Sequence, residues 1–99
     1  MNGGHRYDFE WDPQKAADNL RRHKISFAEA MTVFLDEAAL LIPDDAHSVT
    51  ENRFIMLGMS ARLRLLVVCH CYRRSDEIIR LISARKANRA ERAQYTERI

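Results

Sequence analysis

Two kinds of side chain in this sequence could act together on a phosphodiester bond. His23, His47 and Tyr95 can exchange protons. RNA is cut without a metal when a base removes the proton of its 2′-hydroxyl, cations stabilise the phosphorane and an acid protonates the leaving 5′-oxygen. The residue types therefore permit metal-independent cleavage of RNA, although their spacing is not specific to it. The candidates for charge stabilisation are four arginines: Arg53, Arg64, Arg80 and Arg85.

Three of these side chains also have structural interpretations. His23 stands at the predicted end of a helix, where its charge would complement the helix dipole, and this interpretation is favoured over catalysis. The Tyr95 ring could pack against a sheet. Arg80 stands between Ile78 and Ile82. Because an ionised guanidinium is almost never buried alone, Arg80 either pairs with an internal carboxylate or lines a groove that is open to an anion.

The last predicted strand divides its polar residues between two faces. Alternation places Arg80 on the face of Ile78 and Ile82, and it places Ser83 and Arg85 on the other face. The two arginines are therefore not expected to act together, and Arg85 is the stronger candidate for catalysis.

The triplet Cys69-His70-Cys71 suggests a zinc hypothesis, because thiolates and imidazoles are common zinc ligands. Strand alternation, however, sends His70 to the face opposite the two sulfurs, and no second ligand pair follows at zinc-finger spacing. The sequence also has no glycine-rich phosphate loop, no nucleophile elbow and no carboxylate run suited to two-metal catalysis. We expect neither a metal nor a cofactor.

The net charge of +2 conceals two halves of opposite sign. Residues 1–61 contain six basic and ten acidic side chains, whereas residues 62–99 contain ten basic and four acidic ones. The second half is suited to a polyanionic partner. The alternative is that its basic residues only solvate a helix and the edge of a sheet.

The sequence predicts a cytoplasmic protein that makes no membrane contact. No apolar stretch approaches the roughly 18 residues that span a bilayer, and the N-terminus lacks the hydrophobic segment of a signal peptide. Cys69 and Cys71 would point to one face of a strand and cannot easily bond each other, which favours a reducing compartment.

Local signals predict a strand and then a helix at the start of the chain. Residues 7–11 alternate aromatic and acidic side chains, as in a half-buried strand. Asp12-Pro13 suits the cap and the first position of a helix over residues 13–23. Asp18 and Arg22 are four residues apart and are expected to pair on its surface.

A second helix is predicted to begin with a capping box, in which the Ser26 hydroxyl and the Glu29 carboxylate each bond a backbone amide of the first turn. Its expected core stripe comprises Phe27, Ala30, Met31 and Phe34.

Four strands and a last helix are predicted to follow. A short strand over Ala38–Ile42 precedes an antiparallel meander over Arg53–Met59, Leu63–Tyr72 and Glu77–Ser83. The last helix begins at Asn88 with Glu91 in its first turn, and its expected apolar stripe is Ala90, Ala93 and Ile99.

The predicted fold is α+β, in the order β-α-α-β-β-β-β-α, with helices packed on a twisted antiparallel sheet. Residues 6–99 are expected to form a single domain, and residues 1–5 a flexible tail.

Four blocks of residues occur in an order that is typical of one family. The first two are Phe9-Glu10-Trp11-Asp12 with Lys15 and Asn19, and Arg22-His23-Lys24-Ile25-Ser26-Phe27 with Glu29-Ala30. The third is Glu51-Asn52-Arg53-Phe54 with Gly58 and the strand from Arg64 to His70. The fourth and most specific is Arg80-Leu81-Ile82-Ser83-Ala84-Arg85-Lys86-Ala87 through Glu91, Arg92 and Tyr95. From about Phe9 to Tyr95 the sequence thus resembles the BrnT toxins of type II toxin–antitoxin systems.

This resemblance implies a RelE-like fold and an endoribonuclease that cleaves RNA and thereby halts translation. It also implies a hetero-oligomer with a DNA-binding antitoxin of the BrnA type, which neutralises the toxin and through which the complex binds operator DNA. The catalytic candidates are then His23, Arg53, Arg64, Arg80, Arg85 and Tyr95. Five further basic residues are expected to contact RNA: Lys15, Arg22, Lys86, Arg89 and Arg92.

The sequence leaves one alternative function open. A RelE-like fold could instead serve as a non-catalytic module that docks an acidic protein partner or contributes to operator DNA binding.

The sequence also departs from the family at Lys24 and at Arg62-Leu63, where a glycine is usual. Since a left-handed backbone costs a non-glycine residue about 1 kcal/mol, both turns are expected to differ in shape.

Overall fold

The computed structural model describes residues 7–47, 51–74 and 77–97, so the predicted tail over residues 1–5 lies outside the described residues. The elements follow the predicted order. They are β1 (Asp8–Glu10), α1 (Pro13–His23), α2 (Phe27–Thr32), β2 (Leu40–Pro43), β3 (Arg53–Met59), β4 (Leu65–Arg73), β5 (Ile78–Lys86) and α3 (Arg89–Thr96). Short 3-10 turns occupy Val33–Leu35 and Asp45–His47. No helix in the described part of the chain is long and apolar enough to cross a membrane.

The five strands form one sheet in the order β1-β5-β4-β3-β2. Strands β2 to β5 pair antiparallel, as the meander predicts, whereas β1 pairs in parallel with β5. β1 precedes both helices, so no hairpin turn constrains its direction against β5. The sheet therefore has β4 near its centre, which agrees with the apolar character of both faces of that strand.

Helix α1 begins and ends where local chemistry predicts. The Asp12 carboxylate accepts a hydrogen bond from the Gln14 amide at 2.8 Å, and Pro13 occupies the first turn. Lys24 closes the helix by donating its backbone N–H to the Leu20 carbonyl at 3.0 Å. The expected partner of Asp18 is wrong, because Arg21 and not Arg22 pairs with it at 2.6 Å.

One core lies between the sheet and helices α1 and α2. The predicted stripe of α2 is confirmed, since Phe27 and Ala30 are buried and Met31 and Phe34 pack against the same cluster. Burying a large aliphatic or aromatic side chain contributes about 1.5–3 kcal/mol, so this cluster is the main source of stability on that side of the sheet. Its buried members are Ile25, Phe27, Ala30, Val33, Leu66, Val68, Ile79, Leu81 and Ala84.

Among the described residues, α3 covers the other face of the sheet at one end, and we call this face the open face. Tyr95 is buried there against Leu57, Leu65 and Val67. Its hydroxyl donates to the Asp36 carboxylate at 2.7 Å. The stripe predicted for α3 is wrong, because Ala90 and Ala93 are exposed, and Ile99 lies outside the described residues. One aromatic anchor thus replaces an apolar stripe.

A β-bulge in β5 changes the predicted division of its faces. Cys69 pairs with Ser83 and His70 pairs with Leu81, so Ile82 is an extra residue on β5. The register places Arg80, Ser83 and Arg85 opposite Cys71, Cys69 and Val67, which share one face of β4. The expectation that Arg80 and Arg85 occupy different faces is therefore wrong: both belong to the open face.

A buried ion pair holds the β3–β4 turn against α2. Arg64 donates from Nε to the Glu29 carboxylate at 2.9 Å and from a terminal nitrogen to its second oxygen. The Ser60 hydroxyl donates to the same carboxylate at 2.7 Å. Glu29 therefore does not complete the predicted capping box, in which only the Ser26 oxygen takes part by accepting from the Glu29 amide at 3.0 Å. The corresponding box of α3, between Asn88 and Glu91, has both bonds.

At two positions where the family usually has a glycine, this chain has Lys24 and Leu63, and both have a left-handed backbone. Lys24 and Leu63 each have φ of 62°. Both positions thus have a backbone that favours glycine, and residues that carry a Cβ bear its strain. The expected difference in turn shape stays a prediction.

Leu63→Gly should raise the free energy of unfolding by about 1 kcal/mol, because it relieves this strain. The Leu63 side chain is 83% exposed, so its removal sacrifices little burial. Chemical denaturation measures the change. Ala61→Gly is the matched control, because Ala61 lies in the same turn without a positive φ. An equal stabilisation of both variants would contradict the strain argument.

Glu29→Gln should lower the free energy of unfolding by about 1.5–3 kcal/mol near neutral pH, because the partly exposed Arg64 loses its charge-assisted hydrogen bonds to this carboxylate. The hydrogen bonds from Arg64 hold the pKa of Glu29 below its ordinary value of 4.5. The stability that the pair contributes is therefore fully present above pH 4.5 and is lost as the pH falls through the lower pKa of the folded state.

Denaturation curves of wild type and variant across this range measure the difference, which should shrink on the acid side. Asp18→Asn removes an exposed pair and should leave the stability nearly unchanged. A difference between wild type and Glu29→Gln that is independent of pH would rule out the ionic explanation.

Candidate functional site

The uncovered part of the open face contains a depression of about 290 Å³, which we call the central depression. It lies between β3, β4, β5 and the turn that follows β2. Ile55 and Val67 form part of its apolar floor. Its polar lining comprises Asp44, His47, Arg53, Cys69, Ser83 and Arg85.

His47 and Asp44 form a hydrogen-bonded pair at the rim of the central depression. The His47 Nδ1 lies 3.1 Å from each oxygen of the Asp44 carboxylate. Because an ionised carboxylate only accepts hydrogen bonds, Nδ1 is the donor, and Nε2 of a neutral ring keeps a free lone pair. The Asp44 amide donates to the Arg53 carbonyl at 2.9 Å, which ties this turn to β3. The pair can therefore take up a proton beside Arg53.

Arg85 is held at the opposite side of the central depression by a bidentate ion pair with Glu91. Its two terminal nitrogens donate to the two carboxylate oxygens at 2.9 and 2.8 Å. This contact lowers the pKa of Glu91. The Arg85 side chain is still 42% exposed. It is therefore a fixed cation with a surface that an anion can reach.

Arg80 pairs with a carboxylate, which is one of the two alternatives that the sequence leaves open. Its guanidinium donates to Glu10 of β1 at 2.8 Å. Arg73 also approaches Glu10, at 3.9 Å. Arg80 shares the open face with Arg85 but is not among the described residues that line the central depression.

Arg64 and Tyr95 both lie outside the central depression, where each is engaged in a structural contact. Arg64 is bound to Glu29 at the β3–β4 turn. Tyr95 is 7% exposed and anchors α3 to Asp36, and this hydrogen bond raises the pKa of the phenol. The packing interpretation of Tyr95 therefore agrees with its position.

His23 lies in a second depression of about 220 Å³ beside α1, which we call the α1 depression. Lys15 and Arg22 line it together with His23. Ile82 and Ser83 of the bulge line both depressions. Three of the predicted residues are thus brought together here, next to the central depression rather than inside it.

The remaining predicted RNA-binding residues lie at the end of β5 and on α3. Lys86, Arg89 and Arg92 are all exposed. Lys86 lies opposite Leu66, on the helix-covered side of the sheet, whereas Arg89 and Arg92 belong to α3 at the end of the open face.

The Cys69-His70-Cys71 segment alternates as predicted. His70 is fully buried on the helix side, and burial lowers its pKa to about 4. Its ring nitrogens lie 3.0 Å from the Val68 carbonyl and 3.2 Å from the Tyr72 hydroxyl. Within the described ranges, no three His, Cys, Asp or Glu side chains converge as metal ligands would.

Asp44 is the site residue that the sequence analysis does not single out. A signal for it exists, because Asp44 directly follows the strand-ending Pro43 and precedes His47 by three residues. In a tight turn, side chains three positions apart come within hydrogen-bonding distance.

Comparisons with known proteins agree with this architecture. The model of the family described as "Ribonuclease toxin, BrnT, of type II toxin-antitoxin system" matches residues 11–91. The crystal structure of the Brucella abortus ribonuclease toxin BrnT is similar with a TM-score of 0.65 and 21% sequence identity, over 85% of this chain and 100% of that one. At this identity the structural likeness shows a common fold. No curated protein sequence matches the chain significantly.

The family model covers most of the chain and includes the residues that line both depressions. The resemblance noted in the sequence is thus confirmed: this chain belongs to the BrnT family of ribonuclease toxins of type II toxin–antitoxin systems.

Proposed function

We propose that this chain is a metal-independent endoribonuclease whose active site is the central depression. One observation carries the proposal: a histidine–aspartate pair and two arginines, Arg53 and Arg85, line the same depression. These are the groups that cleavage through the 2′-hydroxyl requires.

His47 is the general base in this mechanism. Its Nε2 removes the proton of the 2′-hydroxyl, while Asp44 holds the ring through Nδ1 and stabilises the imidazolium that forms. The 2′-oxygen then attacks the adjacent phosphorus, and the 5′-oxygen leaves with the proton of an acid. His23 lines the α1 depression together with Ser83, which also lines the central depression, and it is the candidate for this acid.

Arg53 and Arg85 stabilise the charge that develops on the phosphorane. A single donor fixed towards such a charge contributes about 3–4 kcal/mol to catalysis. Glu91 keeps Arg85 in place before substrate arrives, so little reorganisation is needed. Arg64, Arg80 and Tyr95 contribute as positioning residues, because their carboxylate partners hold the turn, β1 and α3 to the sheet.

The biological role that we propose follows the family. The chain acts in the cytoplasm by RelE-like cleavage of RNA, which stops translation. A DNA-binding antitoxin of the BrnA type neutralises it in a hetero-oligomer, and this complex contacts operator DNA. A short neighbouring reading frame that encodes such an antitoxin would support this assignment.

A non-catalytic binding module is the second candidate. It is favoured by one observation: Arg80 and Arg85 already have carboxylate partners, as arginines do when they serve stability or docking. Such a module would bind an acidic protein or operator DNA and would cut no RNA, so a cleavage assay separates the two candidates.

Purified chain incubated with RNA in EDTA should give fragments that end in a 2′,3′-cyclic phosphate or a 3′-phosphate, because attack by the 2′-hydroxyl leaves phosphorus on the 3′ side. Mass spectrometry of the fragments identifies these ends. Fully 2′-O-methylated RNA is the control and should stay intact. Complete loss of cleavage in EDTA, or fragments with 5′-phosphate ends, would contradict the mechanism.

His47→Ala should lower the rate of cleavage about 10²- to 10⁴-fold, because the attacking hydroxyl loses its base. Asp44→Asn should cause a smaller loss, since the amide oxygen still accepts from Nδ1 but the charge is gone. Single-turnover cleavage of an oligonucleotide measures both rates.

Asp45→Asn is the matched control for these variants. Asp45 is an exposed neighbour that does not line the central depression, so its removal should leave the rate unchanged. If Asp44→Asn and Asp45→Asn lost activity equally, the pairing of Asp44 with His47 would not be the cause.

A further inference from the structure

The α1 depression contains more cations than anions. Lys15 and Arg22 are exposed, and neither forms an ion pair or a side-chain hydrogen bond within the described ranges. The depression also contains Asp18, whose charge is balanced by Arg21 at 2.6 Å. Its net charge is therefore positive.

The α1 depression opens at the edge of β5, beyond the end of β1. β1 pairs with β5 only as far as Arg80. Past the bulge, Asn19 takes the place of a neighbouring strand: its side chain accepts from the Ala84 amide at 3.0 Å and donates to the Ala84 carbonyl at 2.9 Å. The edge at Ala84 is thus satisfied by the Asn19 side chain, and the partly exposed Ile82 and Ser83 beside it line both depressions.

The electrostatic field also connects the two depressions. Cys69 lies in the central depression, and burial raises the pKa of its thiol. The charges of Arg53 and of Lys15 both oppose this rise. Lys15 is therefore near enough to Cys69 for its charge to act on that thiol.

From this geometry we infer that the α1 depression is a second phosphate subsite, in which Lys15 and Arg22 bind the phosphate next to the scissile one. The inference rests on the proposed function, since it takes the central depression as the place of cleavage. Ser83, which lines both depressions, marks the point where the RNA backbone passes from one to the other.

The substrate class follows from this path. The two depressions lie on different sides of the β5 edge, so a chain that occupies both must bend sharply around Ser83. A single strand can bend between adjacent nucleotides, whereas a double helix is stiff over many base pairs. The substrate is therefore single-stranded at the cleavage site.

Binding of uncleavable oligonucleotides tests the subsite without requiring cleavage. The probes are a 2′-O-methyl dinucleotide, which has one phosphate, and the corresponding trinucleotide, which has two. NMR titration should show that the second phosphate strengthens binding to wild type about tenfold, as charge-assisted hydrogen bonds do. Lys15→Ala and Arg22→Ala should each remove most of this gain.

The salt dependence of trinucleotide binding gives an independent readout. Each phosphate contact to a single strand contributes about 0.7 to the slope of log K against log salt concentration, so either variant should lower the slope by up to that amount. Arg62→Ala is the control, because Arg62 is an exposed arginine of the β3–β4 turn and should leave both gain and slope unchanged.

The subsite would be overturned if Lys15→Ala weakened the binding of the dinucleotide and of the trinucleotide equally. An unchanged salt dependence of trinucleotide binding would overturn it as well. A 2′-O-methyl hexanucleotide should also bind more tightly than its duplex, and equal binding would overturn the assignment to single strands. If no RNA were cut in EDTA but the oligonucleotides bound as expected, the proposed metal-independent cleavage would be refuted and the α1 depression would remain a phosphate-binding site.

Discussion

Ile82 has no partner on β4, and the faces of all later residues of β5 depend on this one insertion. Without it, Ser83 and Arg85 would point into the helix-covered core and Ala84 would face solvent. The bulge is fixed from outside the strand by Asn19, which is buried and bonds both backbone groups of Ala84 as well as the Ile25 carbonyl. A single carboxamide on α1 thus fixes the position of the strand that supplies Arg85.

The arginines that form ion pairs differ in how deeply their carboxylate partners are buried. Arg64 pairs with the buried carboxylate of Glu29. Loss of the Arg64 side chain would leave this carboxylate without a counter-charge and would cost several kcal/mol. Arg80 and Arg85 pair with carboxylate side chains that are 35% and 22% exposed, at the boundary between core and solvent. Pairs in that position contribute less to stability, because water screens them, but they fix a guanidinium in one orientation. Orientation is what a phosphate-binding site needs.

The sequence predicts the elements well because their signals are local. Asp12-Pro13 and the Asn88–Glu91 box begin helices where expected, and β3 has the predicted bounds. The bulge could not be predicted, since a period-two pattern has no place for an extra residue. The partners of Glu29 and Tyr95 could not be predicted either, because they lie 35 and 59 residues away and depend on the tertiary fold.

The candidate site was predictable in residue type and only partly in position. Arg53 and Arg85 are brought together with His47, while His23 lies across the bulge. Arg64 and Tyr95 have the chemistry of a site but are engaged elsewhere. Period and spacing identify which groups could react; they do not determine which of them the chain engages in its own packing.

Glu91 serves two elements at once. Its carboxylate accepts from the Asn88 amide at 2.8 Å, which completes the cap of α3, and it also holds Arg85. Removing this side chain would release a helix end and a cation in one step. Substitutions at positions 85 and 91 are therefore energetically coupled, and their effects in a double-mutant cycle will not add. The cap of α3 and the orientation of Arg85 thus depend on one carboxylate.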